Sequence, residues 1–277
     1  MRPQRPNLAD MARRQATSGT GAAQSRALPR IVLAPADPGA EQHWRNALAL
    51  VDELNVAVDG EWTLVGGLMV QLHVNRYGDG NARPTDDIDV LGDSRKRPSA
   101  TERIAELLDA LKFKPNDPVG LNMKTGYRFV RGEEIVDVLG VDGTTQPPKT
   151  LGKLETIQVK GGTQALQRTE TVLVVLGGEE TAVRYPDLLG AILLKARAIT
   201  SPQRDQDRED LVRLLLCVKD PRAMADEMKK SETTWLRTAG KHLRLDDEAG
   251  DLRALFTSEQ LATARAVYNL LLQSRGR

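Results

Sequence analysis

"PTDDIDVLGD", residues 84–93, sets three aspartates within four positions and then turns apolar. Side chains on a strand alternate, so Asp87 and Asp89 share one face while Ile88 and Val90 point into a core. Their carboxylates then stand about 7 Å apart along the strand. Crowded carboxylates repel, and burying them is costly unless a cation or a hydrogen-bonding partner joins them. The stretch is therefore either a turn with a solvated edge or a metal site.

The sequence on either side bears on that choice. Upstream, "EWTLVGG" (61–67) reads as a short strand ending in Gly66-Gly67, and "LMVQLHV" (68–74) as a helix of about two turns. The breaker-rich "NRYGDGNARPT" (75–85) then reads as a loop. Without Cβ atoms, and at a helix N-terminus, the glycine pair can bring backbone N–H groups close to a phosphate. Downstream, "SATERIAELLDALKF" (99–113) reads as a helix with Ser99 or Thr101 as N-cap and Ile104, Leu107, Leu108 and Leu111 facing inward. "YRFVRGEEIVDVLGV" (127–141) reads as a hairpin turning at Gly132-Glu133-Glu134. Its second strand is interrupted by Asp137, in a Val-Asp-Val-Leu setting that echoes residues 88–91. Asp137 is either a third acid of the same site or an edge-strand acid facing water. Three oxygen donors would suit Mg²⁺, which keeps several waters and is usually completed by substrate phosphates.

The 277 residues are 40% hydrophobic and 28% charged, enough to bury a sizeable core of Leu, Val, Ile and Ala, since aromatics make up only 4%. One cysteine excludes an intrachain disulfide and a cysteine-based zinc cluster, and fits a reducing cytoplasm. No apolar run reaches the length of a membrane span, and the N-terminus lacks the apolar core of a secretory signal. A net charge of +1 hides an asymmetry: residues 1–30 hold six arginines against Asp10, a local balance of +5, which leaves −4 on the rest. The body thus lacks the basic footprint of a duplex-binding domain. Residues 1–38, rich in Pro, Gly, Ser, Ala and Arg, are expected to be a disordered tail. "EQHWRNALALVDELNVAV" (41–58) carries Trp44, Leu48, Val51 and Leu54 on one helical face. "TETVLVVL" and "TAVRY" flank Gly177-Gly178 as strands, Pro186 is placed to start a helix, and the last ninety or so residues read as mostly helical.

In this order and spacing, "LVGGLMVQLHV", "RPTDDIDVL" and "IVDVL" resemble the nucleotidyltransferase superfamily of DNA polymerase β, whose pattern is a strand ending in Gly-Gly or Gly-Ser, an Asp-x-Asp pair, and a later acid on a neighbouring strand. The nearest likeness is to AbiEii-like nucleotidyltransferases of toxin–antitoxin systems, through Gly66 to His73 and Arg83-x-Thr85-x-Asp87-Ile88-Asp89. The resemblance is clear over residues 61–140 and looser over 183–216. It implies an α+β fold: a polymerase β-like mixed sheet with flanking helices, then a mainly helical C-terminal part. A nucleotidyltransferase core over 39–185 would be followed by a helical region, 186–277, completing the active-site cleft. It implies further that Asp87, Asp89 and Asp137 hold two Mg²⁺ ions, that Asp137 helps deprotonate the acceptor hydroxyl, and that Gly66 and Gly67 cradle an NTP with Arg83 and Thr85 beside them. The implied acceptor is RNA, tRNA first, or a protein, and the implied partner a cognate antitoxin. Gly67 departs from the pattern where many relatives have Ser.

In "DLLGAILLKARAIT" (187–200), Leu188, Ile192, Lys195 and Ile199 fall on one helical stripe. Lys195 either reaches a nucleotide phosphate or snorkels to solvent. Asp207 and Asp210 share a face in the first turns of the next helix, where acids are stabilised by the macrodipole. The resemblance makes one of them the partner of Lys195 in nucleotide binding. Arg83 contacts phosphate or braces its loop, His73 reads as a packing or capping residue, Arg95-Lys96-Arg97 as a solvated charge run, and Cys217 as core.

Overall fold

The computed structural model describes residues 27–78, 82–95, 98–116, 126–152, 154–201, 205–245 and 251–273. Strand β1 (Arg30–Val32) precedes helix α1 (Pro38–Ala57), which Asp37 caps by accepting from Ala40 N at 2.9 Å. There follow β2 (Trp62–Leu64), α2 (Gly66–Tyr77), β3 (Asp87–Gly92) and α3 (Ala100–Ala110). Strands β4 (Lys114–Pro115), β5 (Arg128–Arg131), β6 (Glu134–Val141) and β7 (Gln158–Val159) lead through α4 (Gly162–Gln167) to β8 (Thr169–Leu176) and β9 (Glu179–Pro186). The chain then turns helical: α5 (Leu188–Ala198), α6 (Asp205–Leu216), α7 (Pro221–Asp226), α8 (Lys230–Leu243) and α9 (Ser258–Leu272). Mixed sheets flanked by helices, followed by a helical part, make this an α+β fold.

The larger sheet runs β2-β3-β6-β5-β4, with β7 alongside the far end of β6. Its centre is the parallel pair β3 and β6; the β2–β3 and β5–β6 pairs are antiparallel. A smaller sheet runs β1-β8-β9. The 127–141 hairpin forms as its pattern suggests, with Arg131 paired to Glu134 so that only Gly132 and Glu133 make the turn. Ser99, not Thr101, caps α3 in a reciprocal capping box with Glu102. Ile104 and Leu108 are buried, while Leu107 and Leu111 pack partly covered against the core. The expected face of α1 is buried, and Trp44 Nε1 donates to Gln71 Oε1 at 2.9 Å, tying α1 to α2.

Several expectations need correction. Arg30–Val32, placed in the tail, is a strand pairing parallel with β8, because Ile31 and Leu33 have apolar cover to gain there; residues 1–26 lie outside the described residues. Helix α2 begins at Gly66 itself and continues through Asn75, Arg76 and Tyr77, residues of the expected loop. Arg76 there pairs with Glu170 and donates to Tyr185, partners from β8 and β9 that no local pattern shows. Pro186 closes β9, and Asp187 caps α5 instead. Helix α5 shows no simple stripe: eight consecutive residues, Leu189 to Ala196, are buried, because α6, α8, α4, α2 and β9 enclose it. Among the described residues no helix is long and apolar enough to cross a membrane.

Candidate active site

Strand alternation does at β3 what the sequence suggests. Ile88 and Val90 are 2% and 0% exposed, and Asp87 and Asp89 lie half-buried on the opposite face. The third carboxylate arrives by strand pairing: Asp137 stands beside Asp89 in the parallel ladder. Because β6 runs between β3 and β5, Asp137 is no edge residue, and it is only 6% exposed. One carboxylate oxygen from each of Asp87, Asp89 and Asp137 lies within 4.8 Å of the others.

The start of α2 closes over this cluster. Gly66 has φ +67°, and a Cβ built on it would fall 1.7 Å from Asp89 Oδ2. Only glycine lets the helix start this close to the carboxylate. A Cβ on Gly67 would sit 2.7 Å from Thr85 Oγ1, the hydroxyl that donates to Asp87 Oδ1 at 2.7 Å. No side chain caps α2, so its first N–H groups remain an anion-attracting end.

Electrostatics mark the cluster as short of positive charge. Burial pushes the Asp89 carboxyl up to about 7, with Asp87 and Asp137 pushing the same way, Lys195 opposing and Asp207 adding a little. Asp137 is also raised, by burial first, against a hydrogen bond and charge from Arg128 and with a contribution from Asp87. Arg128 holds Asp137 with both arms, Nε to Oδ1 and Nη2 to Oδ2, each at 2.7 Å. Three carboxylates offering oxygens within a few ångströms, with one deprotonated only at a cost, fit a divalent hard cation.

Behind the cluster lies a buried ion network. Lys195 is 6% exposed and donates to Asp207 Oδ1 at 2.7 Å and to Asp210 Oδ2 at 2.8 Å. The sequence offers one partner for Lys195; the fold supplies both, and a route to solvent is closed. Burial works against the charged lysine, but Asp210 and Asp207 outweigh it and raise its pKa. Arg83 reaches the same network, Nε to Asp210 Oδ1 at 3.0 Å, and its Nη1 donates to Pro84 O at 3.0 Å, so it braces the loop before β3. An open cleft of about 270 Å³ in front of the cluster is lined by Arg83, Thr85, Asp87, Arg128 and Gln206 among others. A slightly larger cleft, about 310 Å³, lies at the other end of β6 around Asp142 and Trp235. The Asp142 carboxylate there is already tied to the N–H groups of Gly161 and Thr163, so that cleft does not compete for the chemistry.

No family model matches the chain, and no curated protein does. Among solved structures it is similar to an antigenic nucleotidyltransferase-like protein from Paracoccidioides brasiliensis, with 15% identity, a TM-score of 0.44, and 83% of this chain and 95% of that one covered. It is also similar to the antibiotic-resistance factor ANT(2'')-Ia, with 14% identity, a TM-score of 0.35, and coverage of 81% and 92%.

The remaining sequence candidates fall away from the chemistry. His73 is fully buried inside α2, Nε2 3.0 Å from Pro186 O, with its ring 4.7 Å from that of Tyr185, so it is a packing residue and does not end its helix. Arg95 pairs with Asp93 at 2.8 Å; Lys96 and Arg97 lie outside the described residues. Cys217 is buried core. Two residues near the acids escape the sequence reading. One is Arg128, which the hairpin register would have revealed: a two-residue turn at Gly132-Glu133 puts residue 128 opposite 137. The other is His43 in α1, held below its ordinary pKa by burial, against the pull of Asp86, Asp87 and Glu134. Nothing local marks it.

Proposed function

We propose that this protein is a Mg²⁺-dependent nucleotidyltransferase that moves a nucleoside monophosphate from an NTP to an acceptor hydroxyl. The observation that carries this reading is the convergence of Asp87, Asp89 and Asp137 beneath an uncapped helix that begins with Gly66-Gly67. Asp87, Asp89 and Asp137 would hold Mg²⁺, which when bound neutralises the triphosphate and acidifies the acceptor hydroxyl. The N–H groups at the start of α2 receive phosphate oxygens. Thr85 orients Asp87 by donating to its Oδ1, and Gly66, lacking a Cβ, leaves the room that Asp89 occupies. The acceptor oxygen attacks the α-phosphorus, its proton passes to Asp137, and the bond to the β-phosphate oxygen breaks to release pyrophosphate. Lys195, held by Asp207 and Asp210 behind the cluster, lends its positive charge to Asp89 and so to the phosphate site in front of it.

The acceptor assigned is RNA, tRNA first, or a protein, in the cytoplasm, as for the toxin of a toxin–antitoxin pair. A small-molecule acceptor is favoured by one observation, the formal charge of −4 outside residues 1–30, because RNA binding depends on neutralising phosphates. Incubation with Mg²⁺, each α-labelled NTP, total RNA and lysate protein separates these readings, with Asp87→Ala/Asp89→Ala in parallel. We expect label on RNA or protein, reduced at least about 1,000-fold in the double variant. Mg²⁺-dependent NTP binding without labelled macromolecules would move the assignment to a small-molecule acceptor. Absence of NTP binding would leave a catalytically silent fold serving as a binding module.

A further inference from the structure

Three clustered carboxylates call for positive charge, and the protein supplies part of it from its own chain. Arg128 stands across the β5–β6 ladder from Asp137 and engages both of its oxygens. Its Nη2 also lies 3.7 Å from Asp87 Oδ2, while Asp87 Oδ1 is bonded to Thr85. Asp89 is turned instead toward Gly66 and makes no ion pair with Arg128 among the described residues. Asp137 is thus held by a fixed cation before any metal arrives, whereas Asp89 only feels the charge of Lys195.

We propose, resting on the nucleotidyltransferase reading, that Arg128 is a built-in counter-ion standing in for the second metal ion. The resting protein takes a single divalent cation on Asp87 and Asp89, and accepts another at Asp137 only when Arg128 releases it. A planar guanidinium closed on a carboxylate with two parallel bonds is among the stronger polar contacts, and here the carboxylate is buried while the guanidinium side chain keeps 25% of its surface exposed. A divalent cation placed on the same oxygens would meet its charge at close range, in a setting that screens poorly. Arg128 also lines the cleft in front of the cluster, together with Arg83, Thr85 and Gln206. A guanidinium fork suits phosphate as well as it suits carboxylate. Arrival of an NTP therefore offers Arg128 a new partner and frees Asp137, so substrate and second cation enter together. Arg128 in this account is a positioning residue that times cation occupancy.

Counting Mn²⁺ ions bound to the full chain, by the electron paramagnetic resonance signal of free Mn²⁺, tests this without any turnover. Without nucleotide we expect one ion on the wild type. Arg128→Gln should bind a second ion at least tenfold more tightly than the wild type does, and Arg128→Lys, which keeps charge but loses the fork, should fall between them. Arg128→Gln/Asp137→Asn should return to one ion. Adding a non-hydrolysable NTP analogue should bring the second ion to the wild type. Two ions of equal affinity on the wild type, unchanged by Arg128→Gln, would overturn the role of Arg128 and leave the metal site standing. No Mn²⁺ on the wild type or any variant would overturn the nucleotidyltransferase reading and this inference together. A cooperative melt for each variant confirms folding, and if Arg128→Gln fails that check, Arg128→Lys decides.

Discussion

At the scale of single residues, charge is placed where the chain can hold it and withheld where it cannot, and His73 shows the second case. Burial holds its pKa down at about 3, against the bond to Pro186 O and with a further push from Arg76. Its Nδ1 is buried without a hydrogen-bond partner, so protonation would put a charged N–H among apolar groups. The folded pKa lies below the unfolded value of about 6.5. Its stabilising share is therefore present above pH 6.5 and lost as pH falls toward 3. Between pH 7 and pH 5 the wild type should lose about 2 kcal/mol more than His73→Gln, which keeps a side-chain donor but does not titrate. Urea unfolding at the two pH values measures this, and parallel losses in both proteins would remove His73 as the cause. Residue placement is legible where the backbone alone dictates it. Asp87 and Asp89 follow from strand alternation, and Gly66 from the need for a side-chain-free helix start. His73 reads from the sequence as a packing residue, though not its partner Pro186, whereas Arg128 answers to Asp137 on the neighbouring strand and goes unmarked.

At the scale of elements, the Lys195 network links α5 to α6 and, through Arg83 and Asp210, to the loop before β3. A buried pair with one partner removed costs about 3–5 kcal/mol, because a charge is left behind in a low-dielectric setting. Lys195→Met should therefore cost that much in denaturant unfolding. Adding Asp207→Asn and Asp210→Asn to it should recover part of the loss, since fewer stranded charges remain. A loss below about 1 kcal/mol for Lys195→Met would mean that water reaches this network, as at a surface pair. The network explains why the helical half was only partly readable. An apolar stripe identifies a helix with one wet face, and α5 has none, so the sequence leaves Lys195 between a nucleotide phosphate and an exit to solvent. Strand β1 was missed for a related reason. Three residues give no period, and its partner β8 lies some 140 residues away, beyond any local pattern.

For the whole molecule, the question is whether the sheet-bearing part and the helical part are separate bodies joined at residue 186 or one cooperative unit. The position of helix α5 favours one unit. It packs on α6 and α8 from the helical part, and also on α2, α4 and β9 from the rest. The sheet-bearing part would thus lose the cover over α2, whose first turn faces the acids. Leu189, Ile192, Leu193 and Leu194 would all leave the core at once, at about 1.5–3 kcal/mol each. That sum rivals the whole stability of an ordinary domain. A fragment of residues 27–186 should accordingly show no cooperative thermal transition and no ordered near-ultraviolet circular dichroism. It should also bind no Mn²⁺, because Gly66 would no longer be held against Asp89. A sigmoidal melt with metal binding intact would instead make the first part an autonomous domain, with the helical half an attachment to a site that is already complete.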